Sequence, residues 1–274
     1  MRALLVLNER SRLGIRDGDA VCRTLADLGI ECERDPKSPA DLDAVIAAGG
    51  DGTVISTAAL AVARNLPLGI VPLGTFNDLA RTLAIPPQIP EACQTILAAR
   101  TRTIDLGVVN DTYFVNEASI GLTSRIARRQ TPDLKQRLGF AGVLSTTIQS
   151  IGEAKPFSVR VEFDGRSESF RTVQLTIANN RRFGGIVERA DAAVDDGWLD
   201  LYSIEVRGWW EAFRVARKIF RKDPSSGEGL RTRRSTRFTV HTRRPHRISA
   251  DGEAAGVTPA TFAIVPGALR VLVP

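Results

Sequence analysis

Two apolar runs, 44–48 and 68–71, each lead straight into a glycine-bearing polar turn and then a helix-like stretch, with 25 positions separating Gly49 from Gly74. Strand, turn and helix recurring in this order read as an α/β architecture, because parallel neighbours in a sheet need a crossover connection. The alternation begins earlier, with a strand expected at 3–7 and a helix at 17–28, and the stretch 53–64 supplies the helix between the two turns. In open sheets of this kind ligands bind beyond the carboxyl ends of the strands, where both turns fall.

From about residue 101 the texture changes. Strand-like runs at 104–109, 112–116, 158–163, 172–178, 199–204, 236–241, 247–249, 261–265 and 269–273 are separated by turn signals, the pattern of an all-β sandwich or barrel. Two helical patches, 121–151 and 208–222, interrupt it. The change near 103 predicts an α/β domain over 1–103 and a β domain over 104–274, the last strand being free to return to the first domain. A chain of 274 residues with 43% apolar content can build both cores, and 25% charged residues exclude the disordered and collagen-like classes.

Cys22, Cys32 and Cys93 have no CxxC or Cys/His spacing, so neither a disulfide framework nor a zinc site is expected, and a reducing cytoplasm fits best. The apolar start is broken by Asn8 and Glu9, and no run approaches the roughly 20 apolar residues of a spanning helix, so no signal peptide or transmembrane segment is expected.

In Gly49-Gly50-Asp51-Gly52-Thr53 the missing side chains let a phosphate reach the backbone, and the following helix start offers unpaired N–H groups. Asp51 would repel a bare phosphate, so it either holds Mg²⁺ or orients the loop. One such turn alone reads as a capped strand-to-helix connection; the second, at 69–81, makes a nucleotide crevice the better reading. Neither turn is a GxGxxG, the second has Thr-Phe where a P-loop needs Lys-Ser/Thr, and no HRD or DFG set exists, which excludes protein-kinase chemistry.

GGDGT at 49–53 with GIVPLGTFNDLAR at 69–81 resembles the catalytic domain of the diacylglycerol kinase and sphingosine kinase superfamily, in its soluble bacterial lipid-kinase form. The resemblance continues in order over nearly the whole chain, with FVNEASIG at 114–121, ANN at 178–180 and FGG at 183–185, DDGWLD at 195–200 and ADGE at 250–253. It implies an N-terminal NAD-kinase-like α/β domain, a C-terminal β-sandwich and an active site in the cleft between them. The implied reaction is ATP- and Mg²⁺-dependent phosphorylation of diacylglycerol or a similar lipid alcohol, within lipid metabolism and phospholipid biosynthesis. The chain departs from the family pattern at Asn8-Glu9 and Ser11-Arg12-Leu13-Gly14, and at Arg189-Ala190-Asp191. An NAD-kinase-type enzyme and a catalytically silent nucleotide- or lipid-binding regulator are the alternative readings.

On this resemblance the nucleotide side comprises Asn8, Gly49, Gly50, Asp51, Gly52, Thr53, Gly74, Thr75, Asn77 and Asp78. Asn77 and Asp78 start a helix, where they could cap it, hold the turn or reach the phosphates. Asp251 and Glu253 lie two apart, which on an extended backbone projects both to one side, although Asp-Gly is also a hairpin signal. The resemblance implies Glu253 as proton acceptor and Asp251 as its partner, in that order or the reverse. It also implies a structural Mg²⁺ on Asp196 with main-chain oxygens near Ala193 and Trp198; an ordinary turn is an equal alternative.

With 37 Lys or Arg against 31 Asp or Glu the net charge is +6. The stretch 208–222 puts Trp209, Phe213, Ala216 and Phe220 on one helical face, which either covers the sandwich core, the preferred reading, or lies in a bilayer interface. Arg128, Arg129, Arg181, Arg182, Arg231, Arg233, Arg234, Arg243 and Arg244 lack aromatic interleaving, so no nucleic-acid partner is expected. The surplus fits a protein peripheral at the inner membrane face that draws its lipid substrate from an anionic bilayer. A homodimer is one assembly compatible with this reading.

Overall fold

The computed structural model describes residues 1–7, 12–35, 41–75, 77–121, 154–179, 182–183, 187–188, 193–206, 208, 210–211, 213–215, 227 and 229–274. The chain divides into two compact units, Met1–Leu106 with Ala193–Asp196 and Val265–Pro274, and Gly107–Ala192 with Gly197–Ile264.

In the first unit the elements run β1 (Arg2–Leu7), α1 (Arg12–Asp27), β2 (Glu31–Glu33), β3 (Ala44–Gly49), α2 (Asp51–Arg64), β4 (Leu68–Pro72), α3 (Asp78–Thr82), α4 (Ile89–Ala98) and the start of β5 (Thr101–Val109). The strands β2, β1, β3 and β4 lie side by side in that order, all parallel. Both β3 and β4 are buried along their whole length, which is why they read as unbroken apolar runs. Helix α2 carries Asp51 in its first turn and Arg64 in its last, complementing the helix dipole, and ends on Asn65 in the left-handed region. Helix α4 went unassigned in the sequence, yet its signal is there: Pro90 in the first turn, then Ala92, Cys93 and Ile96 buried at helical spacing.

The second unit contains β6 (Thr112–Phe114), β7 (Glu117–Gly121), β8 (Phe157–Phe163), β9 (Arg166–Thr172), β10 (Gln174–Ala178), β11 (Arg182–Phe183), β12 (Val187–Glu188), β13 (Leu199–Ile204), β14 (Leu230–Ser235), β15 (Arg237–Thr242), β16 (Arg247–Ala250), β17 (Glu253–Val257) and the start of β18 (Ala260–Leu272). One antiparallel sheet has the order β14-β13-β10-β7-β16-β17; in the other, β9, β8, β15 and the first residues of β18 are neighbours. Their inner faces share one apolar core that includes Phe114, Ile120, Val161, Leu175, Ile177, Phe238 and Phe262, the arrangement of a β-sandwich.

Several expectations need correction. The runs 261–265 and 269–273 are one strand, β18, which carries on through Pro266 and through Gly267 at φ 62°, a conformation that glycine adopts without strain. The strand expected at 112–116 ends at Phe114, since Val115 and Asn116 form a bend, and the run 172–178 is interrupted at Val173 between β9 and β10. The arginine-rich β14 and most of the polar β9 went unassigned in sequence and are strands in the fold. The helical patch 121–151 lies outside the described residues apart from Gly121, which ends β7. Of 208–222, residues 210–211 and 213–215 are helical; Val215 is buried against Val173 and Val206, whereas Phe213 is 52% and Trp210 81% exposed. Of the four residues expected on that face only Phe213 is described, and it does not cover the core; Trp209, Ala216 and Phe220 lie outside the described residues.

Candidate functional site

The two glycine turns meet. β3 ends at Gly49 and α2 starts at Asp51, with Gly50 as an extended N-cap whose carbonyl accepts the N–H groups of Thr53 (2.9 Å) and Val54 (3.1 Å). Leu73 N–H, just past β4, donates to the Gly49 carbonyl at 2.9 Å and so draws the second turn alongside the first. A Cβ on Gly74 would lie 2.5 Å from the Gly50 Cα and 2.6 Å from the Asn77 Oδ1, so bare backbone is required there.

Side chains then fasten the contact. Asn77, left-handed at φ 50°, accepts the Gly74 N–H on Oδ1 (3.0 Å) and donates from Nδ2 to the Gly74 carbonyl (2.8 Å). The Asp51 carboxylate reaches across from α2, Oδ2 accepting the Asn77 N–H (3.0 Å) and Oδ1 the Asp78 N–H (2.7 Å). Of the roles open to it in sequence, the structure shows Asp51 orienting the loops: it brings a second carboxylate, beside that of Asp78, to the N-terminal end of α3. Asn77 holds the turn and provides no side-chain cap to α3. Thr53 is buried under Gly49, and no atom lies within 4 Å of where a Gly52 Cβ would sit.

A cleft of about 470 Å³ opens beside the second turn, lined by Gly74, Thr75 and Asn77 together with Asp17 and Arg81. Asp51, Gly52 and Thr53 do not line it. Arg81 and Asp17 were not singled out in sequence. The usable signal for Arg81 was its place at the end of GIVPLGTFNDLAR, in the helix that directly follows the second turn. The cradle fits a nucleotide in size and chemistry: bare glycine backbone, a threonine hydroxyl and one guanidinium line a volume within the usual range for ligand sites. Asn8 lies outside the described residues.

In the second unit, Asp251 and Gly252 form the two-residue turn between β16 and β17, both at positive φ (48° and 94°), with Ala250 paired to Glu253. The expectation that Asp251 and Glu253 project together from an extended strand is thereby corrected, because the chain reverses between them. The Asp251 carboxylate accepts three backbone N–H groups, from Val115 (2.6 Å), Asn116 (3.0 Å) and Glu117 (2.9 Å). Asn179 extends the same knot, donating from Nδ2 to the Val115 carbonyl (3.0 Å) and from its N–H to that of Asn116 (2.9 Å). Glu253 is exposed at the start of β17, with no side-chain partner among the described residues.

The third predicted group lies in a turn. Asp196 Oδ2 accepts the Ala193 N–H at 3.2 Å, and Asp195 is held by Arg102 through contacts of 2.7 and 2.9 Å. The Asp105 N–H reaches the Val194 carbonyl (2.7 Å), while the buried Asp105 carboxylate accepts the Gly267 N–H (2.8 Å). No group of three or more His, Cys, Asp or Glu side chains suited to a metal occurs among the described residues. At Asp196, Oδ2 accepts the Ala193 N–H within the turn, and the Mg²⁺ that the resemblance implies on this carboxylate with main-chain oxygens stays an expectation. Among the described residues no helix is long and apolar enough to cross a membrane.

An α/β unit with paired glycine turns at the ends of parallel strands, continued by an antiparallel sandwich, defines a recognisable class. Residues 16–109 match the diacylglycerol kinase catalytic domain, and residues 116–273 match the YegS C-terminal NAD kinase beta sandwich-like domain. The chain belongs to the diacylglycerol kinase family that joins these two domains. It is 30% identical over 238 residues to a Bacillus subtilis protein named diacylglycerol kinase, covering 85% of this chain and 78% of that one. A Synechocystis protein described as uncharacterized is 31% identical over 236 residues, 84% of this chain but only 54% of the longer relative. In fold, the chain is similar to a diacylglycerol kinase crystal structure from Bacillus anthracis, with TM-score 0.77 and 23% identity over 100% of this chain and 97% of that one.

Proposed function

We propose that this protein is a lipid kinase that transfers the γ-phosphoryl group of ATP to the hydroxyl of diacylglycerol or a similar lipid alcohol. The observation that carries this reading is the pair of glycine turns at the carboxyl ends of β3 and β4, locked by Asp51 and Asn77 beside a cleft of nucleotide size. Phosphoryl transfer asks the protein for positioning and charge more than for covalent chemistry. The backbone around Gly50, Gly52 and Gly74 and the Thr75 hydroxyl receive phosphate oxygens, and Arg81 offers a cation to them. The γ-phosphoryl leaves ADP as it is transferred, and Mg²⁺ arriving with ATP would supply further positive charge to the phosphates. Glu253 takes the proton from the lipid hydroxyl as its oxygen bonds to phosphorus, and Asp251 holds the turn that presents Glu253. Binding at the inner membrane face from the cytoplasm follows from the lipid substrate, with no transmembrane anchor invoked.

The test is transfer from labelled ATP to a panel of diacylglycerol, monoacylglycerol, phosphatidylglycerol, ceramide and sphingosine in mixed micelles. Glu253→Gln should lower turnover at least about 100-fold, the usual contribution of a positioned base. Transfer to NAD with none to lipid would replace this reading with an NAD kinase, and ATP binding without transfer to any acceptor would replace it with a regulator. Undiminished transfer by Glu253→Gln would remove Glu253 from the chemistry.

A further inference from the structure

The second unit spends its carboxylates unevenly. Arg231, Arg233 and Arg234, expected to add surface charge, are neutralised: Glu168 lies 2.8 Å from both Arg231 and Arg233, Glu205 contacts Arg231, and Asp200 contacts Arg234 at 3.1 Å. On the outer face of the sheet β9-β8-β15 the pattern is different. The inward residues Val159, Val161 and Val240 enter the core, so the alternate positions face solvent.

Register places them in two rows. In one, Ser169, Arg160 and His241 stand opposite each other on three adjacent strands; in the next, Arg171 is opposite Ser158, with Arg243 just past the last paired residue of β15. The first row thus sets one guanidinium, and the second two, beside a hydroxyl where cross-strand ion pairs are the usual stabilising arrangement. Glu162, on the adjacent row, is shared by Arg160 (3.3 Å) and His241 (3.6 Å). Arg171 donates to the Pro156 carbonyl at 3.3 Å, which fixes its guanidinium. Among the described residues neither Arg171 nor Arg243 has a carboxylate partner, and neither Ser158 nor Ser169 has a hydrogen-bond partner for its hydroxyl.

These side chains line a groove of about 450 Å³. Strands about 4.8 Å apart and alternate residues about 6.7 Å apart put the cations and hydroxyls on a patch matching one phosphate group and its ester substituent. Guanidinium forks and hydroxyls are the donors that phosphate oxygens accept best.

We propose that this outer face, through Arg171, Arg160, Arg243, Ser158 and Ser169, is a binding site for the phosphate group of a phosphoester ligand. The chemistry is shared by a phospholipid headgroup and a soluble phosphoester, and two measurements separate them. One is co-sedimentation of the full chain with phosphatidylcholine vesicles containing or lacking phosphatidylglycerol; the other is ³¹P line broadening of free glycerol phosphate. R171S/R243S should weaken whichever binding is found about tenfold, whereas the charge-matched R23S/R100S should change it less than about twofold.

Loss confined to R171S/R243S supports the site: in the vesicle arm it assigns a phospholipid headgroup, in the free-ligand arm a soluble phosphoester. No binding in either arm, equal losses in the two variants, or preference for duplex DNA over both probes overturns the proposal. The substituted residues are all exposed, and thermal melting of both variants checks that they fold. ATP affinity, measured on the same preparations, reports on the kinase reading separately.

Discussion

Replacing Asp251 distinguishes a carboxylate that builds the site from one that reacts in it. Three backbone N–H groups converge on this side chain, which is half-buried. Hydrogen bonds to a charged acceptor contribute about 1.5–3 kcal/mol each; taking the low end for partial exposure, and allowing water to replace part of the loss, gives about 3 kcal/mol for Asp251→Ala. Alanine at φ 48° adds about 1 kcal/mol of backbone strain. Asparagine tolerates that conformation and keeps one acceptor oxygen, but turns an NH₂ toward the Val115 N–H, so Asp251→Asn should cost about 2 kcal/mol. With a urea dependence of about 2–3 kcal/mol per molar, the transition of the second unit should move down by about 1.5 M for alanine and about 0.8 M for asparagine. Urea titration followed by circular dichroism measures this. Midpoints within about 0.3 M of the parent for both variants, together with loss of phosphoryl transfer, would refute the structural assignment and place Asp251 among the reacting groups.

Gly74→Ala drives a Cβ against the Gly50 backbone, which cannot swing aside as a side chain can, so affinity for a fluorescent ATP analogue should fall at least about tenfold; unchanged affinity would show that the turns are no nucleotide cradle. The hydrogen bond and charge of Arg233, with further help from Arg231, hold the Glu168 carboxyl below its ordinary range. Its stabilisation is therefore complete above the ordinary carboxylate pKa and is lost as pH falls through the lowered value. Glu168→Gln should cost about 1 kcal/mol at neutral pH, and the gap to the parent should close in acid; a gap that widens in acid contradicts the pairing. Burial, helped by the nearby Cys32, pushes the Cys93 thiol up to about 11, so at pH 8 iodoacetamide should reach buried Cys93 only after denaturation, whereas Cys32, exposed although its own thiol is also raised, is labelled in the folded chain, as peptide mass spectrometry would reveal.

Strands β3 and β4 could be read from the sequence because burial on both faces leaves an unbroken run without polar residues, which ends at Gly49 in β3 and at Pro72 in β4. Strand β14 could not. Its Leu-Arg-Thr-Arg-Arg-Ser carries the composition of a loop, and only its pairing with β13 and the carboxylates of Glu168, Glu205 and Asp200 make a strand of it. The exposure of Trp210 and Phe213 was equally hidden, since a helical apolar stripe looks the same in sequence whether it meets a core or solvent.

The residue order by itself determined the α/β start, the sandwich that follows, the two glycine turns and the family, since each rests on local spacing or on motifs in a fixed order. The work of the carboxylates was decided only in three dimensions. Asp51 takes its partners 26 and 27 positions ahead, and Asp251 takes its three from 134 to 136 positions back. A carboxylate's task depends on which N–H groups the fold delivers to it, and a backbone N–H leaves no mark in the sequence.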